Sequence, residues 1–201
     1  MILMDLEFTC WEGSLQSGWS DPARPAEVIE VGLAAFDLLQ DKVLDTFSSM
    51  VRPRLNPELS EYCTALLRIP QEDVYQFAPL PEVLGKIAGW YARIGTRNIL
   101  TCSWGLVDRI YLTQDAERSG CRDPFFTVAH VDLRLLMTGA LVPPLEVPLE
   151  RDDVRAFLGL SVNRNRHRAL DDAKDLAQFC RALREGPLSR DIKGKDKASK
   201  V

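Results

Sequence analysis

The chain opens MILMDLEF (residues 1–8), and the fold turns on how this octet is read. It is apolar apart from Asp5 and Glu7, the pattern of a buried strand. Successive side chains of a strand leave opposite faces, so Ile2, Met4, Leu6 and Phe8 share one face while Leu3, Asp5 and Glu7 share the other. Two carboxylates a few ångströms apart beside apolar walls repel, and one is protonated unless a cation intervenes. A divalent ion with all-oxygen ligation, Mg²⁺ or Mn²⁺, is the simplest remedy. The alternative is an edge strand with one face in water.

Outward from the octet, EGSLQSGWSDPARPA (12–26) is rich in Gly, Ser and Pro and predicts a loop. EVIEVGLAAFD (27–37) and KVLDTFSSMVRP (42–53) predict two further strands with a short connection, hence an antiparallel meander. Helical apolar spacing marks LSEYCTALLRI (59–69) and LPEVLGKIAGWYARI (80–94). A strand is expected at NILTCSW (98–104) and a helix at GLVDRIYLTQDAERSG (105–120), stopped by Gly120. FFTVAHVDL (125–133) predicts a strand followed by a short helix through Leu136. A proline-rich connector, a short helix in RDDVRAFLGL (151–160) and an amphipathic helix in HRALDDAKDLAQFCRALRE (167–185) complete the pattern. Three strands followed by strand–helix units predict an α/β fold with a mixed sheet and right-handed crossovers that place helices on its faces. The polar, basic stretch 186–201 is expected to be a disordered tail.

Composition bounds the class. The 201 residues are 46% apolar and 27% charged with a net charge of −4, which suits one globular domain and excludes dominant disorder. A chain of this length buries about 70% of its unfolded surface. No run approaches the roughly 18 apolar residues of a membrane span, and the octet lacks the basic region of a secretory signal. The five cysteines (Cys10, Cys63, Cys102, Cys121, Cys180) form no C-x-x-C pair; reduced thiols in a cytoplasmic protein are the expectation. Charge is uneven: residues 1–150 hold 12 Lys and Arg against 21 Asp and Glu, and residues 151–201 hold 13 against 8. The acidic total disfavours a tight nucleic-acid coat, but not an enzyme that holds one strand end with metal ions offsetting its own acids.

The terminal helix separates two adjacent acids. Asp172 shares its stripe with Leu176, Phe179 and Leu183 and faces the core, whereas Asp171 aligns with Asp175, Gln178 and Ala182 on the wetter side. An inward carboxylate needs a partner, so Asp172 joins Asp5 and Glu7 as a candidate; stabilisation by the helix dipole accounts for Asp171 but poorly for Asp172. His167, five positions earlier, titrates near neutrality and can take a proton from water. Asp108 follows a strand end, where sites of open α/β sheets assemble, and is equally explained as a helix-start anion. His130, inside a strand, reads as structural.

Asp5-x-Glu7, Trp104-Gly105-x-x-Asp108 and His167 with four residues before Asp172 resemble, in order and spacing, the DEDD exonucleases of the histidine subtype, whose fold is RNase H-like. Within that family, DLEFTCWEG, EVIEVG, VRPRLNPELSEYCTALLRIPQEDV, SWGLVDR and HRALDDAKDLA are similar to the RNA-interference-enhancing and histone-messenger 3′ exonucleases. The resemblance spans residues 1–185 as one exonuclease domain.

It implies a 3′→5′ exonuclease that releases nucleoside 5′-monophosphates from the 3′ end of single-stranded nucleic acid, RNA rather than DNA. Asp5, Glu7, Asp108 and Asp172 would hold two Mg²⁺ ions, with Mn²⁺ an alternative, and His167 would act as general base. Thr9 and Trp11, just past the first motif, would contact the terminal nucleotide; Trp11 is otherwise a burial residue and Trp19 a loop anchor. Arg164, Arg166 and Arg168 either grip phosphates or form a solvated surface. The competing functions are a DNA 3′ exonuclease for repair or proofreading and a catalytically silent nucleic-acid-binding module. No membrane association is expected.

Overall fold

The computed structural model describes residues 1–95, 99–142, 150–162, 166–185 and 188–189. The opening octet forms β1 (Ile2–Phe8), followed by the one-turn α1 (Ser14–Ser17), β2 (Val28–Asp37) and β3 (Lys42–Met50). Next come α2 (Glu61–Leu67), α3 (Gln71–Val74) and α4 (Leu80–Ile94). β4 (Thr101–Ser103), α5 (Val107–Arg118), β5 (His130–Asp132) and α6 (Leu133–Ala140) make the strand–helix units. β6 (Leu141–Val142), α7 (Arg151–Leu158), α8 (Ala169–Arg184) and β7 (Leu188–Ser189) close the described chain, β6 pairing in parallel with β7. The main sheet has the order β3-β2-β1-β4-β5. β1, β2 and β3 are successively antiparallel, while β1–β4 and β4–β5 are parallel. This is the expected mixed α/β sheet, with β1 at its centre.

Alternation along β1 divides the core. Ile2, Met4, Leu6 and Phe8 pack against Val83, Leu84, Ile87 and Trp90 of α4 and Leu112 and Ala116 of α5. On the other face Leu3, with Ala34 and Phe36 of β2, meets Leu133 and Met137 of α6, Val154 and Leu158 of α7, and Leu176 and Phe179 of α8. Each such fully buried side chain contributes about 1.5–3 kcal/mol, so both helical layers are firmly seated. Asp5 and Glu7 therefore point into the layer that contains α8.

One residue without a side chain allows α8 to come close. Gly32 of β2 stands directly opposite Asp5, and a Cβ there would lie 2.1–2.2 Å from backbone atoms of Ala169 and Leu170. The first turn of α8 thus rests on bare backbone next to the acids of β1. The β1–β2 register also shifts between Glu7 and Phe8, an irregularity of the kind that re-aims side chains beside a site.

Several sequence expectations need correction. The segment 12–26 contains α1, bounded by Gly13 and Gly18, both with left-handed backbone. The strand expected over 125–133 shrinks to β5, because Asp123 draws the chain into turns: its carboxylate accepts from Phe125 N–H and its carbonyl from Phe126 N–H. The helix after it runs on to Ala140 rather than stopping at Leu136. Asp175, placed on the wetter side of α8, is buried and paired with buried Arg155. Of the expected tail, only Leu188–Ser189 falls among the described residues. All five cysteines are free, and among the described residues no helix is long and apolar enough to cross a membrane.

Candidate active site

Three elements bring the acids together. β1 supplies Asp5 and Glu7, and α8 supplies Asp172 from its first turn. One carboxylate oxygen from each lies within 4.8 Å of the others, a spacing a single metal ion can bridge. Asp108, in the first turn of α5, is buried beside them; its Oδ1 accepts from Leu6 N–H at 2.9 Å, which ties α5 to the middle of β1. All four acids line one cleft of about 870 Å³ together with His167 and Trp11. A second groove of about 690 Å³, between α4 and the 121–127 segment, holds one acid, Asp123, already engaged by Arg109.

The acids cannot all be charged in isolation. Burial, then the charges of Asp5, Asp172, Glu30 and Asp108, pushes the Glu7 carboxyl up to about 10. Burial likewise lifts Asp108 to about 6, opposed by the hydrogen bond from Leu6. Asp5 rises well above the usual carboxylate range, chiefly through burial, with Arg151 pulling the other way. A hard divalent cation removes this conflict by supplying the opposite charge, and carboxylate oxygens are the donors such ions take. The cluster fits that group.

Two arginines already share the acidic load. Glu30, cross-strand from Glu7 and buried, receives Arg168 through contacts of 3.1–3.3 Å. Arg168 is thereby tied to the buried acid of β2 while its side chain stays about half-exposed. Arg151 reaches from the start of α7 to both Asp5 (2.8 Å) and Asp172 (3.4 Å). The sequence signal for Arg151 is faint: an arginine as the first residue of a helix sits at the wrong end of the dipole and so asks for an acidic partner elsewhere. Arg166 pairs with Asp152 at 2.9 Å; Arg164 lies outside the described residues.

His167 stands at the lip of the cleft. Its backbone is left-handed, φ 61°, a conformation costing a non-glycine residue about 1–2 kcal/mol. The turn is held by His167 N–H donating to Asp172 Oδ2 (2.8 Å) and by Arg68 donating to the Arg166 carbonyl (2.7 Å). Burial, with Arg166, Arg68 and Arg151 nearby, lowers the imidazole below its ordinary value although Asp172 opposes this. An unprotonated ring at neutral pH is able to accept a proton.

The remaining candidates part ways. Trp11 is half-buried on the cleft wall, where Tyr62 of α2 also contributes to the lining. Thr9 is buried and does not line the cleft: its hydroxyl donates to the Pro25 carbonyl and accepts from Glu27 N–H. Trp19 is a loop anchor, its indole N–H on the Thr9 carbonyl (2.6 Å) and its ring edge-on to Phe8 and Tyr111. His130 is structural, both ring nitrogens being bonded to Thr101 and Ser103.

A five-stranded sheet with two acids on its central strand, completed by acids from two helices, defines a nuclease of the RNase H-like class. The exonuclease family model matches residues 2–179, and the chain belongs to that family. Among curated proteins it is similar to the 3′-5′ exonuclease Snipper of Drosophila melanogaster, 29% identical over 205 residues, covering 94% of this chain and 70% of the fly protein. Similarity to 3′-5′ exoribonuclease 1 of Homo sapiens is 28% over 198 residues, covering 92% of this chain but only 53% of the human protein. Among solved structures, the nuclease domain of 3′hExo, a DEDDh family member bound to rAMP, superposes with a TM-score of 0.75 at 26% identity over 92% of each chain. Cell-death related nuclease 4 shares the fold, with a TM-score of 0.78 at 20% identity over 94% of this chain and 65% of that one.

Proposed function

We propose that this chain is a metal-dependent 3′-5′ exonuclease that shortens single-stranded RNA from its 3′ end and releases nucleoside 5′-monophosphates. The convergence of Asp5, Glu7 and Asp172 within 4.8 Å, with Asp108 and His167 on the same cleft, carries the reading. The named activities of the fly and human relatives support its direction, and the human relative's name and the rAMP bound to the 3′hExo nuclease domain support its RNA preference.

Asp5, Glu7, Asp108 and Asp172 would hold two Mg²⁺ ions. Bound there, such ions activate a water and stabilise charge on the scissile phosphate. The rest falls to the protein. Leu6 fixes Asp108, and Gly32 lets Asp172 approach β1. Asp172 holds the His167 backbone so that the imidazole faces the cleft and accepts the proton of the attacking water. Trp11, whose ring also meets the Arg24 guanidinium, and Tyr62 line the cleft and would stack on the terminal base, a contact worth about 1–3 kcal/mol that reads no sequence. A reducing, cytoplasmic setting belongs to the same proposal and is supported by five free thiols, four of them buried.

The test is parallel digestion of 5′-end-labelled single-stranded RNA and DNA with Mg²⁺ and then with a chelator. Stepwise shortening of RNA with release of 5′-monophosphates, halted by the chelator, is expected. Circular or 3′-phosphorylated substrates should resist. Preference for DNA would replace the substrate assignment, and rapid cleavage of circles would replace exonuclease by endonuclease.

A further inference from the structure

Asp5 and Asp172 are two of the three acids that could bridge an ion, and both are already held by one side chain. Arg151 Nη2 lies 2.8 Å from Asp5 Oδ1, and its Nη1 lies 3.4 Å from Asp172 Oδ1. One oxygen from each acid is therefore engaged by a guanidinium that lines the same cleft. With Asp172 Oδ2 already taken by His167 N–H, a guanidinium that bridges the two acids and a divalent ion that bridges them carry like charge at close range and compete for the same carboxylates.

We infer that Arg151 is a positioning residue that exchanges with the metal: it holds Asp5 and Asp172 together while no ion does, and must release them for a divalent ion to load. The inference rests on the metal-dependent reading above. Three observations support it. Arg151 is the first residue of α7, where a cation opposes the helix dipole, so its placement is explained by the acids of β1 and α8 and not by its own helix. The carboxylate nearest in its helix, Asp152, is engaged by Arg155 and Arg166. The Arg151 side chain is 22% exposed and lines the cleft, outside the core built from Leu3, Val154, Leu158 and their neighbours.

Two consequences follow from charge alone. With Arg151 in place, the ion-free site is partly neutralised and its ligands stay close together. Loading then sets a divalent ion against a resident unit charge, and ion affinity is lower than four unopposed carboxylates would give. A unit charge about 6 Å from a divalent ion in a water-like medium weakens binding about tenfold.

The test is calorimetric titration of Mn²⁺ into the chelator-stripped protein and into Arg151→Gln and Arg151→Lys, with thermal unfolding of each in chelator. Arg151→Gln should bind Mn²⁺ about tenfold more tightly than the wild type and melt at a lower temperature when ion-free. Arg151→Lys, a point charge that reaches one acid at a time, should bind between the two, and it decides the matter should the glutamine variant not fold. Equal or weaker Mn²⁺ binding in both variants overturns the exchange. A wild-type protein that binds no Mn²⁺, or binds it equally well after Asp172→Asn, sinks the metal-dependent reading itself, a distinguishable result.

Discussion

At positions 171 and 172 the chain carries the same side chain twice, about 100° apart around α8, and Asp172 is the buried one that meets Asp5 and Glu7. Asp172→Asn keeps an acceptor for His167 N–H but loses the charge; it should abolish RNA shortening and Mn²⁺ binding with the fold intact. Asp171→Ala should leave kcat/KM within about twofold, the span of an ordinary surface change. Initial rates on end-labelled RNA measure both, and a severe loss at Asp171 would show that the helix phase was misjudged. The distinction was legible because a hydrophobic stripe assigns each position of a helix to a side. The same stripe misplaced Asp175, whose charge is buried only because Arg155 arrives from α7. Arg151 and the Glu30–Arg168 pair escaped for a related reason. Each joins residues more than 130 positions apart, and nothing local marks a long side chain for a distant acid.

At the scale of elements, β1, β2 and α8 were readable because apolar side chains recur along each at the period of its structure, and β3 because it follows β2 across a short connection. The short elements were not: α1 and β5 depend on glycine and aspartate turns that periodicity does not record. Nor did the sequence disclose that Gly32 is the seat of α8, since a glycine in a strand reads locally as a weakness. Gly32→Ala drives a methyl into the backbone of Ala169 and Leu170. Neither atom group is the end of a flexible side chain, so α8 must move off the sheet. A loss of at least about 2–3 kcal/mol in stability is expected, together with weaker Mn²⁺ binding as Asp172 retreats. Chemical unfolding and ion titration check the two effects, and unchanged ion affinity would mean that α8 does not depend on that seat.

For the molecule as a whole, the acidic cluster sets how stability responds to pH. Glu7 moves from an ordinary 4.5 to about 10 and Asp108 from 3.8 to about 6 on folding, and Asp5 moves the same way. Across those windows the folded, ion-free state holds more protons than the unfolded one, so stability is highest below the ordinary values and declines as pH rises toward the shifted ones. In chelator the melting temperature should therefore fall from about pH 5 to about pH 9. Saturating Mn²⁺ takes the place of those protons, and the gain it confers should grow over the same range. Thermal scans at three pH values with and without ion test this; a chelator curve that climbs with pH would mean the acids are not packed as described.

The central seat of β1 has a further consequence. β2 pairs with β1 along its length and β4 with Ile2 and Leu3; beyond β4, Asp108 of α5 takes the Leu6 N–H, so the strand that bears the two acids lies inside the sheet and not on its rim. The sheet's outer rims belong to β3 and β5. β3 carries Lys42 and Asp45, charges that discourage edge-to-edge stacking. Self-association in a crowded cell would begin at those margins, leaving the segment with the chemistry the last to be recruited into an aggregate.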